Sequence, residues 1–370
     1  MNYRQEFQKI TATDANIYEE VLLEKDIILY GAGSLGRMAL DLFRRAGINK
    51  FIIVDKKVDI LDGIKVRRLN ELSDECIRNS LFLVTICTIP YNDIEEELRY
   101  NGVCNIMQFY TYAYIKFPQL LSNGWFIHNV LPDTEKEVMK VCELLRHDEC
   151  SLNHYLQFCW WKMREKEVVF DEYKVLSGKK YFNAPIMPIV NEDEVLLDCG
   201  CYDGCVIQQF IDKTNGQYKA IYAFEPDRTN MKKAKENLWD REIVFDSRAL
   251  GSRCEQKKFE GDLGYASKLT EKGRELIEVV SIDELDIKPT IIKIHVEGTE
   301  LDVLEGAIKT IEESRPIIMV FADHNSDGLT RIPLYVNRLK DYKLYFLLHD
   351  YCGNSAIYYM MPKERDIYEC

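Results

Sequence analysis

The sequence predicts an α/β protein made of two doubly wound, mostly parallel sheets joined by a helical connector, with boundaries at residues 1–118, 119–179 and 180–370. Two stretches carry this reading. Asp26-Ile27-Ile28-Leu29-Tyr30 runs into Gly31-Ala32-Gly33-Ser34-Leu35-Gly36, and Glu194-Val195-Leu196-Leu197-Asp198 runs into Cys199-Gly200-Cys201-Tyr202-Asp203-Gly204. Each apolar run reads as a strand and each glycine cluster as a tight turn. A helical spacing follows in both, then a second apolar run closed by an acid, Asp55 in the first case and Glu225 in the second.

The chain opens on a short polar helix that leads to the strand at Asp26–Tyr30. Gly31 to Gly36 is a full G-x-G-x-x-G between a strand and a helix. There glycine tolerates positive φ and close backbone approach, and the helix start presents unpaired N–H groups. The helix covers Arg37 to Ala46 and ends at Gly47, and the strand Phe51–Val54 delivers Asp55 to the place where a ribose is held. Strands at Leu81–Ile86 and Asn105–Phe109 complete a compact Rossmann-like sheet. It looks like the small modules that precede sugar-modifying enzymes. Gly31, Gly33, Gly36 and Asp55 are its candidate site for a nucleotide or nucleotide-sugar, with nicotinamide binding as the rival and a vestigial docking or dimerisation module as the plainer alternative.

From Pro118 to Lys166 the spacing turns helical, with helices expected over Glu135–Arg146 and Leu152–Met163. Trp125, Trp160 and Trp161 fall here, and large aromatics in a connector more often cement an interface than bind a sugar. Lys180 to Pro185 is read as extended because of its proline.

In the second region Leu196, Ala223, Val244, Ile292 and Ile318 mark five successive strands, with helices over Val206–Asp212, Thr229–Trp239 and Glu300–Glu312. Tyr342–Leu348 and Ala356–Met361 close the sheet as a final pair, and the alternation demands a parallel, doubly wound arrangement. Glu255–Leu269, rich in Gly and Lys, is an excursion between strands: a surface hairpin or a lid over a substrate. The glycine turn and Glu225 together suit a nucleoside, since a carboxylate accepts from two vicinal hydroxyls.

Four ordered motifs make this half more specific: Asp198-Cys199-Gly200, Phe224-Glu225-Pro226, Lys293-Ile294-His295-Val296-Glu297-Gly298 and Arg315-Pro316. With them the chain resembles the FkbM family of S-adenosylmethionine-dependent methyltransferases over roughly residues 180–362. The resemblance implies a class I methyltransferase fold and S-adenosylmethionine as methyl donor. It implies that Asp198 and the turn containing Gly200, Cys201 and Gly204 hold the amino-acid end of the donor, with Glu225 on the ribose and Asp246 and Ser247 near the adenine. His295 departs from the family, which usually has Asp there.

Methyl transfer to a hydroxyl needs an aligned acceptor and a base. His295 is the candidate base, with Glu297 beside it, because imidazole titrates near neutrality. His295, His324 and His349 all fall at or after strand ends on one predicted rim, where Glu297, Asp323 and Asp350 could join them around a divalent metal. No short ligand motif fixes such a geometry, and no metal site is assigned. Cys199, Cys201 and Cys205 are read as small packing residues.

Composition bounds the rest. A formal net charge of −13 argues against nucleic acid or anionic lipid as partner. Twelve scattered cysteines and a polar start without a leader point to a reducing cytoplasm, and no apolar run has the length of a membrane span. The function expected is transfer of methyl from S-adenosylmethionine to a hydroxyl of a sugar or sugar-derived metabolite, a small molecule or glycan. The alternative is a non-catalytic donor- or nucleotide-binding scaffold in which His295 has ended transfer.

Overall fold

The computed structural model describes residues 2–14, 18, 20–120, 126, 131–187, 190–264 and 267–367. The first helix, α1 (Tyr3–Ala12), is capped by the Asn2 side chain, which accepts from the backbone N–H of Arg4 and Gln5. A first sheet follows from β1 (Ile27–Tyr30), α2 (Ser34–Ala46), β2 (Phe51–Val54), β3 (Ile60–Leu61), β4 (Ile64–Arg67), α3 (Asp74–Asn79), β5 (Leu81–Val84), α4 (Tyr91–Tyr100), β6 (Asn105–Gln108) and α5 (Phe109–Lys116). Its strand order is β3-β4-β2-β1-β5-β6, and all its pairings are parallel except the β3–β4 hairpin. Alternate residues face opposite sides of a strand, and the core divides accordingly. Leu29 and Leu83 pack with Ala39 and Phe43 of α2, whereas Ile28, Phe82 and Val84 pack with Ile94 and Leu98 of α4.

The connector forms α6 (Pro132–Leu145) and α7 (Glu149–Arg164). The second sheet is built from β7 (Val195–Cys199), α8 (Cys205–Lys213), β8 (Ala220–Phe224), α9 (Arg228–Asn237) and β9 (Val244–Asp246). After an insertion come β14 (Ile291–Ile294), α10 (Glu300–Glu305), α11 (Ile308–Ser314), β15 (Ile317–Phe321), β16 (Tyr342–Leu348) and β17 (Ala356–Pro362). The insertion is a small four-stranded sheet of β10 (Ala249–Leu250), β11 (Glu255–Glu260), β12 (Lys268–Leu269) and β13 (Glu275–Val280). The main order is β16-β17-β15-β14-β7-β8-β9, with β17 antiparallel to both neighbours: the class I methyltransferase topology. One face is covered by α8 through Val206, Ile207 and Phe210, the other by α6, α7, α10 and α11. Each fully buried aliphatic or aromatic side chain in these layers contributes roughly 1.5–3 kcal/mol.

The connector helices therefore belong to the second core. So does α1, whose Phe7 and Ile10 sit in that core while Glu6 accepts from Trp160 Nε1 at 2.9 Å. The two sheets are joined directly. Tyr351 N–H donates to Cys87 O at 2.7 Å, and the Glu167 carboxylate accepts from Tyr91 N–H at 2.6 Å and Cys352 N–H at 2.9 Å. Trp161 lies between Tyr91 and Phe126, with ring centroids 6.1 and 6.3 Å away, which is the cementing role expected of these tryptophans. Trp125 lies outside the described residues.

Two local expectations are corrected. The helix read as Glu300–Glu312 is two helices, because Gly306 packs so closely that a Cβ would lie 2.1 Å from Gly251 O, and the chain breaks there. The stretch at Lys180–Pro185 is not extended throughout. Pro185 keeps Ala184 extended, but Tyr181–Asn183 is a single 3₁₀ turn with Tyr181 at φ +53°. The Glu255–Leu269 excursion is a hairpin, one of its two expected forms, and it belongs to the four-stranded sheet. No helix among the described residues is long and apolar enough to cross a membrane.

Candidate active site

The turn after β7 has almost no freedom of sequence at Gly200. Its φ is +85°, and a Cβ there would sit 2.0 Å from the His295 carbonyl oxygen. Gly204, at φ +83°, reverses the chain into α8. The turn is stitched to β8 by Gly200 and Cys201 N–H groups donating to Phe224 O. Glu225 completes it from below, accepting from Tyr202 N–H at 2.9 Å and Asp227 N–H at 3.0 Å. Burial pushes the Glu225 carboxyl up to about 7, against the pull of those two N–H groups.

Asp198 is fully buried beneath this turn. It faces Lys293 Nζ at 2.9 Å, and the same ammonium donates to Gly200 O at 2.5 Å. Burial works against the Lys293 charge, but the Asp198 carboxylate outweighs it and holds the amine above its ordinary value. Asp198 thus acts on the turn through Lys293 and is not among the described residues lining the cavity above it. Asp246 and Ser247 do not line it either. Asp246 is clamped by Arg248, with Nε at 3.0 Å and Nη2 at 2.6 Å, Ser247 is exposed, and Arg248, Ala249 and Leu250 take the cavity-facing positions.

The opposite wall begins where β14 ends. His295 stacks on Phe321 with centroids 3.9 Å apart, places Nδ1 2.8 Å from the Tyr181 hydroxyl, and points Nε2 at Glu297 Oε1, 3.3 Å away. Glu297 reaches this position from a left-handed residue at φ +57°. His324, just past β15, holds Nδ1 2.7 Å from Glu300 Oε1 and Nε2 3.3 Å from the same Glu297 oxygen. Glu300 is itself fixed by the N–H groups of Val296 and Gly298. Burial depresses the His295 imidazole to about 4. Burial opposes the His324 charge too, yet the Glu297 and Glu300 carboxylates lift it well above its ordinary value. Asp323 accepts from Ser355 N–H through Oδ2 and leaves Oδ1 without a hydrogen bond, 4.0 Å from His324 Nε2.

Both walls enclose one cavity of about 360 Å³. Gly200, Cys201, Glu225 and Pro226 line one side, and His295, Glu297, Asp323 and His324 the other. Phe259, Gly264, Ser267, Lys268 and Leu269 bring the hairpin over it. That hairpin is latched by Asp227, whose Oδ2 accepts from Asp262 N–H and Ser267 O–H, both at 2.6 Å. Ser34, Leu35, Met38, Cys87 and Tyr110 add a wall from the first sheet.

The glycine turn of the first sheet does not share a pocket with its acid. Ser34 and Leu35 look into the cavity between the two walls, while Asp55 lines a separate one of about 380 Å³ with Lys56, Arg68 and Asn70. Gly31 and Gly36 are packing positions: a Cβ on Gly36 would lie 2.4 Å from Gly31 O, and one on Gly31 2.6 Å from Ile86. Gly33 has open space around it.

Of the three histidines expected on the rim, two meet. His349 is buried elsewhere, with Nε2 3.0 Å from Tyr359 O–H, and Asp350 pairs with Lys180 at 2.7 Å. Cys199 and Cys201 are buried free thiols, in keeping with a packing role, whereas Cys205, expected to pack with them, is exposed at the start of α8 and lines the cavity. Sequence reasoning missed Tyr181, Lys293 and Arg248. The sequence placed Lys293 opposite Asp198 only once strand register was known, and Tyr181 gave no signal.

Residues 198–344 match the family model of the methyltransferase FkbM domain. Among solved structures, the chain is similar to methyltransferase FkbM from Methylobacillus flagellatus KT at 18% identity and a TM-score of 0.61, over 96% of this chain and 93% of that one, which shows a shared fold that takes in the first sheet. A precorrin-6y C5,15-methyltransferase from Geobacter metallireducens GS-15 aligns with 46% of this chain and 80% of its own, at 14% identity and a TM-score of 0.30. An SAH-bound methyltransferase from Podospora anserina aligns with 74% and 98%, at 10% identity and a TM-score of 0.32. None of the curated proteins matches this sequence.

Proposed function

We propose that this chain, whose C-terminal half is similar to FkbM methyltransferases, transfers a methyl group from S-adenosylmethionine to a hydroxyl of a sugar or sugar-derived molecule. One observation carries the reading: a donor-type turn with its acid and a polar histidine–glutamate cluster face each other across a single cavity. The turn suits the donor. Gly200 leaves the backbone bare, and each Glu225 oxygen accepts only one backbone N–H and keeps a lone pair for a ribose hydroxyl. When bound, the donor supplies an electrophilic methyl on a sulfonium.

The chain's own task is then to align an acceptor oxygen and receive its proton. His295 and Glu297 are the groups proposed for this. The His295 side chain is 27% exposed, and the Glu297 Oε2 has no hydrogen-bond partner. The polar groups of Lys180, Asp323, Asp350 and Asn354 beside Tyr110 favour a polyhydroxylated acceptor over an apolar one. A nucleotide bound to the first sheet alone has less behind it, since Ser34 and Leu35 line one cavity and Asp55 another. The free thiols favour a reducing, cytoplasmic setting.

Calorimetric titration with S-adenosylhomocysteine, followed by methyl transfer assays on a panel of sugars and glycans, tests the reading. Saturable binding with slow turnover on one acceptor class supports it. Binding without turnover on any hydroxylated acceptor identifies the scaffold alternative, and no binding at all removes both.

A further inference from the structure

The His295–Glu297–His324 cluster has a geometry that its own hydrogen bonds do not explain. Glu297 Oε1 lies 3.3 Å from the Nε2 of each imidazole, and the three ligand-type atoms lie within 4.8 Å of one another. Neither the buried His324 Nε2 nor Glu297 Oε2 makes a hydrogen bond of acceptable angle. The far side of each ring is fixed. Tyr181 O–H meets His295 Nδ1, and Glu300 Oε1 meets His324 Nδ1. Outer partners on both Nδ1 atoms, with both Nε2 atoms turned inward, are the arrangement by which proteins aim imidazoles at a metal. Ligand atoms about 2.1 Å from a tetrahedral ion stand about 3.4 Å apart, close to the separations observed.

We propose that His295 Nε2, Glu297 Oε1 and His324 Nε2 bind a divalent transition-metal ion, with Asp323 Oδ1 as a fourth ligand after a small movement. Asp323 is 4% exposed, and its Oδ1 has no hydrogen bond and lies 4.0 Å from His324 Nε2. Two imidazoles with carboxylates suit Zn²⁺, Mn²⁺ or Fe²⁺, whereas Mg²⁺ and Ca²⁺ prefer all-oxygen sites. The ion's open side faces the cavity. If the reading above holds, it polarises the acceptor hydroxyl, His295 serves there as a ligand in place of a base, and the hydroxyl proton passes to Glu297 Oε2, which has no hydrogen-bond partner. The rival is a metal-free cluster in which a protonated His324 is paired with Glu297 and Glu300.

Full-length protein stripped with chelator is titrated with Co²⁺, and then with Zn²⁺ and Mg²⁺ as competitors, while calorimetry follows S-adenosylhomocysteine on the same samples. The proposal expects one Co²⁺ per chain with a visible absorption band, displaced by Zn²⁺ and not by Mg²⁺. Glu300→Gln, which weakens the hold on the His324 ring and on the Val296 and Gly298 N–H groups without removing a ligand, should weaken Co²⁺ about 10- to 100-fold. His295→Ala, at the more exposed ligand, should weaken it further while keeping the melting transition, so the result stands even where His324→Ala fails to fold. Absence of stoichiometric binding overturns the site, as does a band that survives in His295→Ala. Loss of the metal result with S-adenosylhomocysteine binding intact refutes only the metal. Absent S-adenosylhomocysteine binding refutes the methyltransferase reading instead.

Discussion

The two sheets begin alike and end differently. Each places a glycine turn after its first strand and an acid after its second, and in each the acid accepts a backbone N–H of the turn: Asp55 from Ala32 at 2.8 Å, Glu225 from Tyr202 at 2.9 Å. Asp55 takes two further N–H groups, from Lys57 and Val58, and although burial opposes it, these donors hold its carboxyl below the ordinary value. Glu225 has one further N–H and a deeper position, so burial wins and its carboxyl rises to about 7. One acid is spent on its own loop, while the other retains capacity inside a cavity. The glycine motif marks a fold in both places, and it is the surroundings of the acid that differ between them.

The sharpest way to break this contrast is at the glycines. Gly200→Ala forces a Cβ against the His295 carbonyl at positive φ and is expected to abolish S-adenosylhomocysteine binding and lower the melting temperature. Gly33→Ala meets open space and should cost about 1 kcal/mol or less, as a helix-cap change. Thermal melts with and without ligand check both, and equal damage from the two would erase the distinction.

Next in size is the acid itself. Glu225→Ala should lose hydrogen bonds from ribose to a charged acceptor, about 1.5–3 kcal/mol, and weaken S-adenosylhomocysteine at least tenfold, while Asp55→Asn leaves that affinity unchanged. Calorimetry on the full chain decides between them.

A pH series sharpens the same point with a smaller effect. Ribose hydroxyls donate to the ionised Glu225, so affinity should rise as pH climbs through about 7 and fall below it, by about tenfold between pH 8 and pH 6. The sign for stability is opposite. Because the folded-state value is raised, the ligand-free protein keeps this contribution below the ordinary carboxyl value and loses it as pH rises through about 7. A ligand-induced thermal shift larger at pH 8 than at pH 6 is expected, and the trend should vanish in Glu225→Gln.

The smallest effect concerns the roof. Asp227→Asn removes a charged acceptor from Asp262 N–H and Ser267 O–H and should weaken ligand only a few-fold while speeding proteolysis of the 260–268 segment. Mass spectrometry of the first cleavage products locates the change.

Much of the fold was legible because β7, β14 and β15 are buried over their whole length and read as apolar runs between turn residues, interrupted only by the paired Asp198 and Lys293. The helix break at Gly306 was hidden, since the cause is Gly251, distant in sequence. Within the site, Gly200, Glu225, His295 and Glu297 were identifiable from local pattern. His324 could be placed on the rim, but its approach to Glu297 depends on two strand ends and a left-handed residue that no spacing rule encodes. Tyr181 reaches His295 from a 3₁₀ turn across 114 positions, and the pairing of Asp246 with Arg248, which turns that carboxylate away from the cavity lining, was not legible from the sequence.

The wall contributed by Ser34, Leu35, Met38 and Tyr110 has an evolutionary consequence. Those residues hang from a sheet with its own core, fastened to the other chiefly through backbone bonds such as Tyr351 to Cys87 and those that meet Glu167. On the first sheet's side these bonds use the backbone of Cys87 and Tyr91, which other side chains there would still offer, although the Tyr91 ring also packs on Trp161. An ancestral exchange of residues 20–118, which leaves α1 in the second core, would re-shape one side of the chamber and spare the opposite one, so lineages could diversify in what they accept while inheriting the other wall intact.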